Sequence, residues 1–169
     1  KINEGRLHLF SLEYNTGKLV WESAYPYTIP STEPLFIPDI YHAVELPDGR
    51  LSFTTTLYLS TAIQPTLTKR PVTILADNKG VVQKIVSYYN PQGNYYTLID
   101  VAEDIMNGGK KLLFKNGNAS VISSVSYDGA VNISRGYNGG YPPNCFATGV
   151  RGNAIFSSNN IASNFELMM

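Results

Sequence analysis

LHLFSLEYNTGKLVWESAY (7–25), VTILADNKGVVQKIVSYY (72–89) and SVISSVSYDGAVNISRGY (120–137) carry one plan three times. Each has a β-rich run, a polar turn ending in glycine, and a second run ending in tyrosine. With Gly17, Gly80 and Gly129 as anchors, an apolar residue follows two positions later (Leu19, Val82, Val131) and a tyrosine eight positions later (Tyr25, Tyr88, Tyr137). Even offsets share one face of a strand, so these residues are expected on one side of equivalent strands. Asn, Asp and Gly tolerate positive φ, which makes YNTG, DNKG and YDG hairpin turns.

A second kind of hairpin lies between these. PDIYHAVELPDGRLSF (38–53) aligns without a gap to IDVAEDIMNGGKKLLF (99–114) at an offset of 61 residues. In that alignment Asp39 matches Asp100, Val44 matches Ile105 and Phe53 matches Phe114. A weaker copy is PNCFATGVRGNAIF (143–156), with Gly152 and Phe156 standing for Gly49 and Phe53. IDVAEDIMNGG fits helix and strand about equally by periodicity, and the repeat decides for strand and turn. Ten prolines and fourteen glycines fit short strands joined by tight turns.

Alternating hairpins give four-stranded units at roughly 50-residue spacing, the period of a β-propeller. The expectation is an all-β chain of four-stranded antiparallel blades, about three blade-equivalents, part of a larger or oligomeric propeller. Segment 7–25 is an outer half-blade, 39–89 and 99–137 are blades, and 143–169 is an inner half-blade. Phe165-Glu166-Leu167-Met168 reads as the start of a further third strand. The chain opens at Lys1 without an initiator Met or a signal sequence, as a processed or trimmed segment does. It is expected not to be a self-sufficient monomer, because half-blades leave strand edges and apolar faces open.

Composition narrows function by exclusion. The 169 residues carry 13 basic and 13 acidic side chains, a net charge of zero, whereas nucleic-acid binders and polybasic membrane-surface proteins need a positive excess. No apolar run is long enough to span a bilayer as a helix. The single cysteine supplies neither an internal disulfide nor a Cys-based zinc site. No nucleophile elbow, P-loop, HExxH or EF-hand motif occurs, so no catalytic or metal-binding residue and no cofactor is assigned.

Ser11-Leu12-Glu13-Tyr14-Asn15-Thr16-Gly17-Lys18-Leu19-Val20-Trp21 resembles the tryptophan-docking motif of PQQ-like (quinoprotein-type) propeller repeats. The resemblance covers 11 residues and implies a propeller in which the Trp ring covers the neighbouring blade. The other two hairpins carry Lys84 and Ile133 where Trp stands. More weakly, Tyr41-His42 with Leu46-Pro47-Asp48-Gly49-Arg50 resembles a segment of kelch-type copper radical oxidases, where the Tyr and His bind copper. A His before Leu-Pro-Asp-Gly is also similar to arylsulfotransferase-like propellers, where one such His is catalytic.

The candidate binding residues are Asp39, Tyr41, His42, Asp100, Glu103 and Cys145. Inner strands line a propeller's channel, and the ungapped register makes His42 equivalent to Glu103 and, by the third copy, to Cys145. The residues assigned to blade packing are Trp21, Tyr25, Tyr88, Tyr137, Phe53, Phe114 and Phe156, with Trp21 packing beside Leu19 and mostly buried. The insert 54–71 and the tyrosine-rich NPQGNYYTLID (90–100) are long connections of the kind that carries carbohydrate or protein contacts. These readings converge on a secreted, periplasmic or cell-surface module for binding or scaffolding. Its partners are another polypeptide or further copies, and a carbohydrate or protein ligand. The alternative is part of a propeller enzyme whose catalytic groups lie mostly outside this chain.

Overall fold

The computed structural model describes residues 3–29, 38–59, 68–88, 96–116, 119–137, 143–148, 154–159 and 165–168. The described chain is β-structure throughout, save one 3-10 turn. Strands β1 (Asn3–Leu12) and β2 (Leu19–Ile29) form a two-stranded antiparallel sheet. Strands β3 (Ile40–Glu45), β4 (Leu51–Leu59), β5 (Thr68–Ala76) and β6 (Val82–Ser87) form a four-stranded sheet in sequence order. A second four-stranded sheet has the same order, with β7 (Thr97–Asp104), β8 (Gly109–Asn116), β9 (Ala119–Ser126) and β10 (Val131–Tyr137). Strands β11 (Pro143–Thr148), β12 (Ala154–Asn159) and β13 (Phe165–Met168) make a three-stranded sheet. The chain divides into two compact units, Lys1–Ser87 and Tyr88–Met169. Among the described residues no helix is long and apolar enough to cross a membrane.

Turn chemistry sets the hairpins. Gly17, Gly49, Gly80, Gly108 and Gly129 all have φ between +61° and +89°, the left-handed region where a Cβ is strained. In the turns closed by Gly49, Gly80 and Gly129, the glycine N–H donates to the carbonyl three residues back (Leu46, Asp77, Ser126). The N–H of that earlier residue in turn donates to the carbonyl just past the glycine, giving three-residue loops with a left-handed closing residue. Asp77 fastens its turn further, its Oδ1 accepting from the N–H groups of Lys79 and Val81 at 2.9 Å each. The YNTG turn is one residue longer, and Thr16 Oγ1 donates to the Glu13 carboxylate across it.

Each of these outer hairpins carries one extra residue three positions after its glycine. The ladder skips Val20 between Leu12↔Leu19 and Ser11↔Trp21. It skips Gln83 between Ala76↔Val82 and Leu75↔Lys84, and Asn132 between Val125↔Val131 and Ser124↔Ile133. A bulge reverses the alternation beyond it, so the residue two after the glycine and the tyrosine eight after it lie on opposite faces. The single-face reading of the even offsets is corrected accordingly. Leu19 is half exposed on the outward face, whereas Tyr25 packs on the core with its hydroxyl pKa raised by burial.

The core of the first unit lies between the β1–β2 hairpin and the β3–β6 sheet. Phe53, Leu57, Val72, Ile74 and Ala76 are buried, and Leu7, Leu9, Tyr25 and Tyr27 of the hairpin close over them. Each fully buried large side chain stabilises by about 1.5–3 kcal/mol. Trp21 is mostly buried, but it does not pack beside Leu19, because the Val20 bulge turns the two onto opposite faces. Its ring lies on the turn of the next sheet, and a Cβ built on Gly80 would come within 2.6 Å of it. Gly80→Ala therefore meets both a positive φ and the indole. It is expected to lower stability by about 1–3 kcal/mol in a urea melt, more than Gly49→Ala, whose Cβ has only the Asn78 side chain at 3.8 Å nearby.

In the second unit Leu112, Leu113 and Phe114 are buried along β8. Tyr96 stacks on Phe114 at 5.2 Å, and Tyr88 meets it at a tilt at 5.8 Å while its hydroxyl donates to the Gly129 carbonyl at 3.3 Å. IDVAEDIMNGG resolves into β7 followed by a 3-10 turn at Ile105–Asn107. Ile105 is 76% exposed there and cannot serve as the core partner matched to Val44. The insert 54–71 is mostly ladder: β4 and β5 pair from Leu51↔Ala76 to Leu59↔Thr68, with Tyr58 and Arg70 buried. Residues 60–67 and most of the tyrosine-rich 90–100 stretch lie outside the described residues, as do the side chains of Tyr137, Cys145 and Phe156.

Candidate functional site

The first strand of every multi-stranded sheet bears its own bulge. Tyr41 is the extra residue between Ile40↔Thr55 and His42↔Thr54, and Ile99 that between Leu98↔Phe114 and Asp100↔Leu113. Asn144 is the extra residue between Pro143↔Ser158 and Cys145↔Ser157. His42, Asp100 and Cys145 thus occupy one ladder position, the first residue after the bulge. The alignment placing Glu103 at the His42 position is corrected to Asp100. The turn glycines agree, since Gly49 corresponds to Gly108 and not to Lys110. By the same ladder Phe53 corresponds to Leu112 and Phe156, while Phe114 stands two residues further along.

Around these positions the chemistry is modest. Asp39 is exposed, and its carbonyl accepts from Thr55 Oγ1 at 2.7 Å. Tyr41 and His42 are half-buried. Asp100 Oδ1 accepts from the Val101 N–H at 2.8 Å, a local bond that aims the carboxylate along its own backbone. Glu103 is exposed and on the opposite side of the alternation from Asp100. Its Oε1 accepts from Tyr127 Oη at 2.8 Å, and its carbonyl accepts from Thr148 Oγ1 of β11. Burial first, then the bond to Glu103, push the Tyr127 hydroxyl up to about 12, so it remains a donor at any physiological pH. Among the described residues, no group of three or more His, Cys, Asp or Glu side chains is placed to hold a metal ion.

The most polar interior feature lies one residue beyond the candidates. Asp104 closes β7 with a side chain almost wholly buried, and its Oδ2 accepts from Lys111 Nζ at 3.1 Å and Asn107 Nδ2 at 2.9 Å. Its Oδ1 is buried without a hydrogen-bond partner among the described residues. Burial raises the Asp104 carboxyl, but the bonds from Asn107 and Lys111 and the Lys111 charge outweigh it and hold the pKa below the ordinary value. Lys110 is also buried, and desolvation lowers its ammonium to about 7. Sequence reading missed this cluster. Two consecutive lysines after a turn read as solvated residues, and the signal for burial was only the apolar run Leu112–Phe114 that follows them.

The aperture of the first unit is apolar. A groove of about 470 Å³ runs between the β1–β2 hairpin and the β3–β4 edge, lined by Phe10, Leu12, Trp21, Ile40, Val44 and Phe53 among others. Among the described residues, Glu45 is the carboxylate in its lining. Compared with protein-family models, with curated proteins and with solved structures, the chain finds no match.

Proposed function

We propose that this chain is a segment of a divergent PQQ-like β-propeller, a secreted or cell-surface module that binds or scaffolds. The observation that carries the reading is the Trp21 ring seated on Gly80, with the β1–β2 hairpin laid face to face on the β3–β6 sheet. That is the packing the tryptophan-docking resemblance implies between neighbouring blades. Two four-stranded meanders with equivalent bulges, and a third sheet that repeats the first-strand bulge, add support. Binding is favoured over catalysis because the candidate carboxylates are spent on local contacts: Asp100 on its own backbone, Glu103 on Tyr127. The partners in this reading are further sheets of the same kind, and the ligand is a carbohydrate or a protein.

The test pairs a glycan array with turnover assays. Saturable retention of a glycan, with no transfer of sulfate from an aryl sulfate and no oxidation of primary alcohols on addition of quinone or copper, is the expected result. Turnover in either assay would replace the binding reading with the enzyme one.

A further inference from the structure

The turn joining β7 to β8 ends on an asparagine–glycine step whose glycine the backbone selects. Gly108 holds φ +61° and ψ +46°, the left-handed region, and a Cβ on Gly109 would run into the Val125 carbonyl. The residue before them is Asn107. A glycine after asparagine leaves the next backbone nitrogen unshielded, and nothing lies within 4 Å of where a Cβ on Gly108 would stand. Residues 105–108 are all exposed, so water reaches the step.

These are the conditions for intramolecular deamidation. In that reaction the Gly108 nitrogen gives its proton to solvent and attacks Cγ of Asn107. The Cγ–Nδ2 bond breaks, and the leaving nitrogen takes a proton back from solvent and departs as ammonia. Water then opens the five-membered imide at either carbonyl, giving aspartate or isoaspartate.

What sets this step apart is the group that holds Asn107. Nδ2, the nitrogen that leaves, donates to Asp104 Oδ2 at 2.9 Å, and Lys111 Nζ reaches the same oxygen at 3.1 Å. Asp104 and Lys111 are buried while Asn107 is exposed, so the amide is the solvent-side member of an interior cluster. Ring closure turns the Asn107 side chain about Cα–Cβ onto its own backbone, and the bond to Asp104 resists that turn. The product acts back on the cluster. It puts a carboxylate where a donor touched Asp104, and two neighbouring carboxylates disfavour each other's charged form. Isoaspartate also lengthens the backbone by one methylene between Asp104 and Lys111.

We propose that Asn107–Gly108 is a deamidation site restrained by the Asp104–Lys111 pair, and that its conversion breaks the pair in return. The step is a one-way conformational clock in the β7–β8 turn, with water as its co-reactant.

The full chain and its double variant Asp104→Leu/Lys111→Met are kept at mildly alkaline pH and body temperature, and their proteolytic peptides are weighed over time. Conversion at Asn107 is expected to be at least fivefold faster in the double variant, with both proteins folded by circular dichroism. The other asparagine–glycine steps, Asn116–Gly117 and Asn138–Gly139, serve as internal references and are expected to convert alike in the two proteins. Asn107→Asp, the α-linked product, is expected to melt at lower urea than the parent chain at neutral pH. That gap closes as pH falls through the carboxyl range and the added charge is lost. Equal rates at Asn107 in the two proteins would overturn the proposal, as would a rise of the same size at all three steps. So would an Asn107 that stays intact in both while the urea-unfolded chain converts. Should the double variant fail to fold, the Asn107→Asp melts decide alone, and a variant as stable as the parent at neutral pH overturns the proposal.

Discussion

Lys111→Met is expected to destabilise the second unit by about 3–5 kcal/mol, because it strands the Asp104 carboxylate in the interior without its counter-charge. The carboxylate already has one buried oxygen without a partner among the described residues. Removing the ammonium at 3.1 Å leaves Asn107 as the remaining hydrogen-bond donor to that charge among the described residues. The sharper test is the comparison with the double variant Asp104→Leu/Lys111→Met. A buried pair exchanged for apolar side chains of similar volume is often close to neutral, so the double variant should recover most of the loss. Urea melts followed by circular dichroism give both numbers. Equal losses in the single and the double variant would mean that packing, not charge, dominates at this site. The pair also has an acid limb. The Asp104 pKa lies below its unfolded value, so its contribution is complete above the unfolded carboxyl range and disappears as pH falls through the folded value.

Lys110 gives the opposite sign. Its ammonium titrates near 7 in the folded chain and near 10.4 when unfolded, so between those values the unfolded state binds the extra proton. Stability must then rise with pH from about 7 to about 10.4, and the full cost of burying the charge is present below 7. At about 1.4 kcal/mol per pKa unit, that cost amounts to several kcal/mol. Lys110→Met is expected to stabilise the chain by an amount of this order at pH 6, shrinking toward zero by pH 10. Melting temperatures of the two proteins across that range check it. A gain that stays constant with pH would show that Lys110 acts through packing alone.

Hairpin turns were legible in the sequence because their chemistry is local. Asn, Asp and Gly at Asn15–Gly17, Asp77–Gly80 and Asp128–Gly129 require no knowledge of what packs against them. The outer hairpins were placed on the correct anchors for the same reason. The ungapped match of the inner hairpins is off by three residues on their first strands and by two on their second, because Phe53 and Phe114 are both large and apolar and the match rewards that coincidence. The turn at Gly108, one residue longer than that at Gly49, is hidden by the second glycine beside it. Bulges left no mark at all. Val20, Gln83 and Asn132 share no chemistry, only a place in the ladder, and that place is set by the positive-φ turn three residues earlier. The buried Asp104–Lys111 pair was equally invisible, since charged residues are ordinarily solvated and only the covering of both sides of β8 takes them inside.

Sequence order within every sheet also fixes how the chain can fold. Each ladder joins strands that are neighbours in the chain, so no pairing waits for a distant segment to arrive. The entropy of closing each loop grows only with the logarithm of its length, and isolated hairpins close in about 1–10 μs. For an all-β chain this is a low contact order, which places folding at the fast end for its class. The slow event then falls to the docking of one finished hairpin on the next, where the Trp21 ring must find Gly80. A fault in a single turn would delay its own sheet and leave nucleation elsewhere untouched.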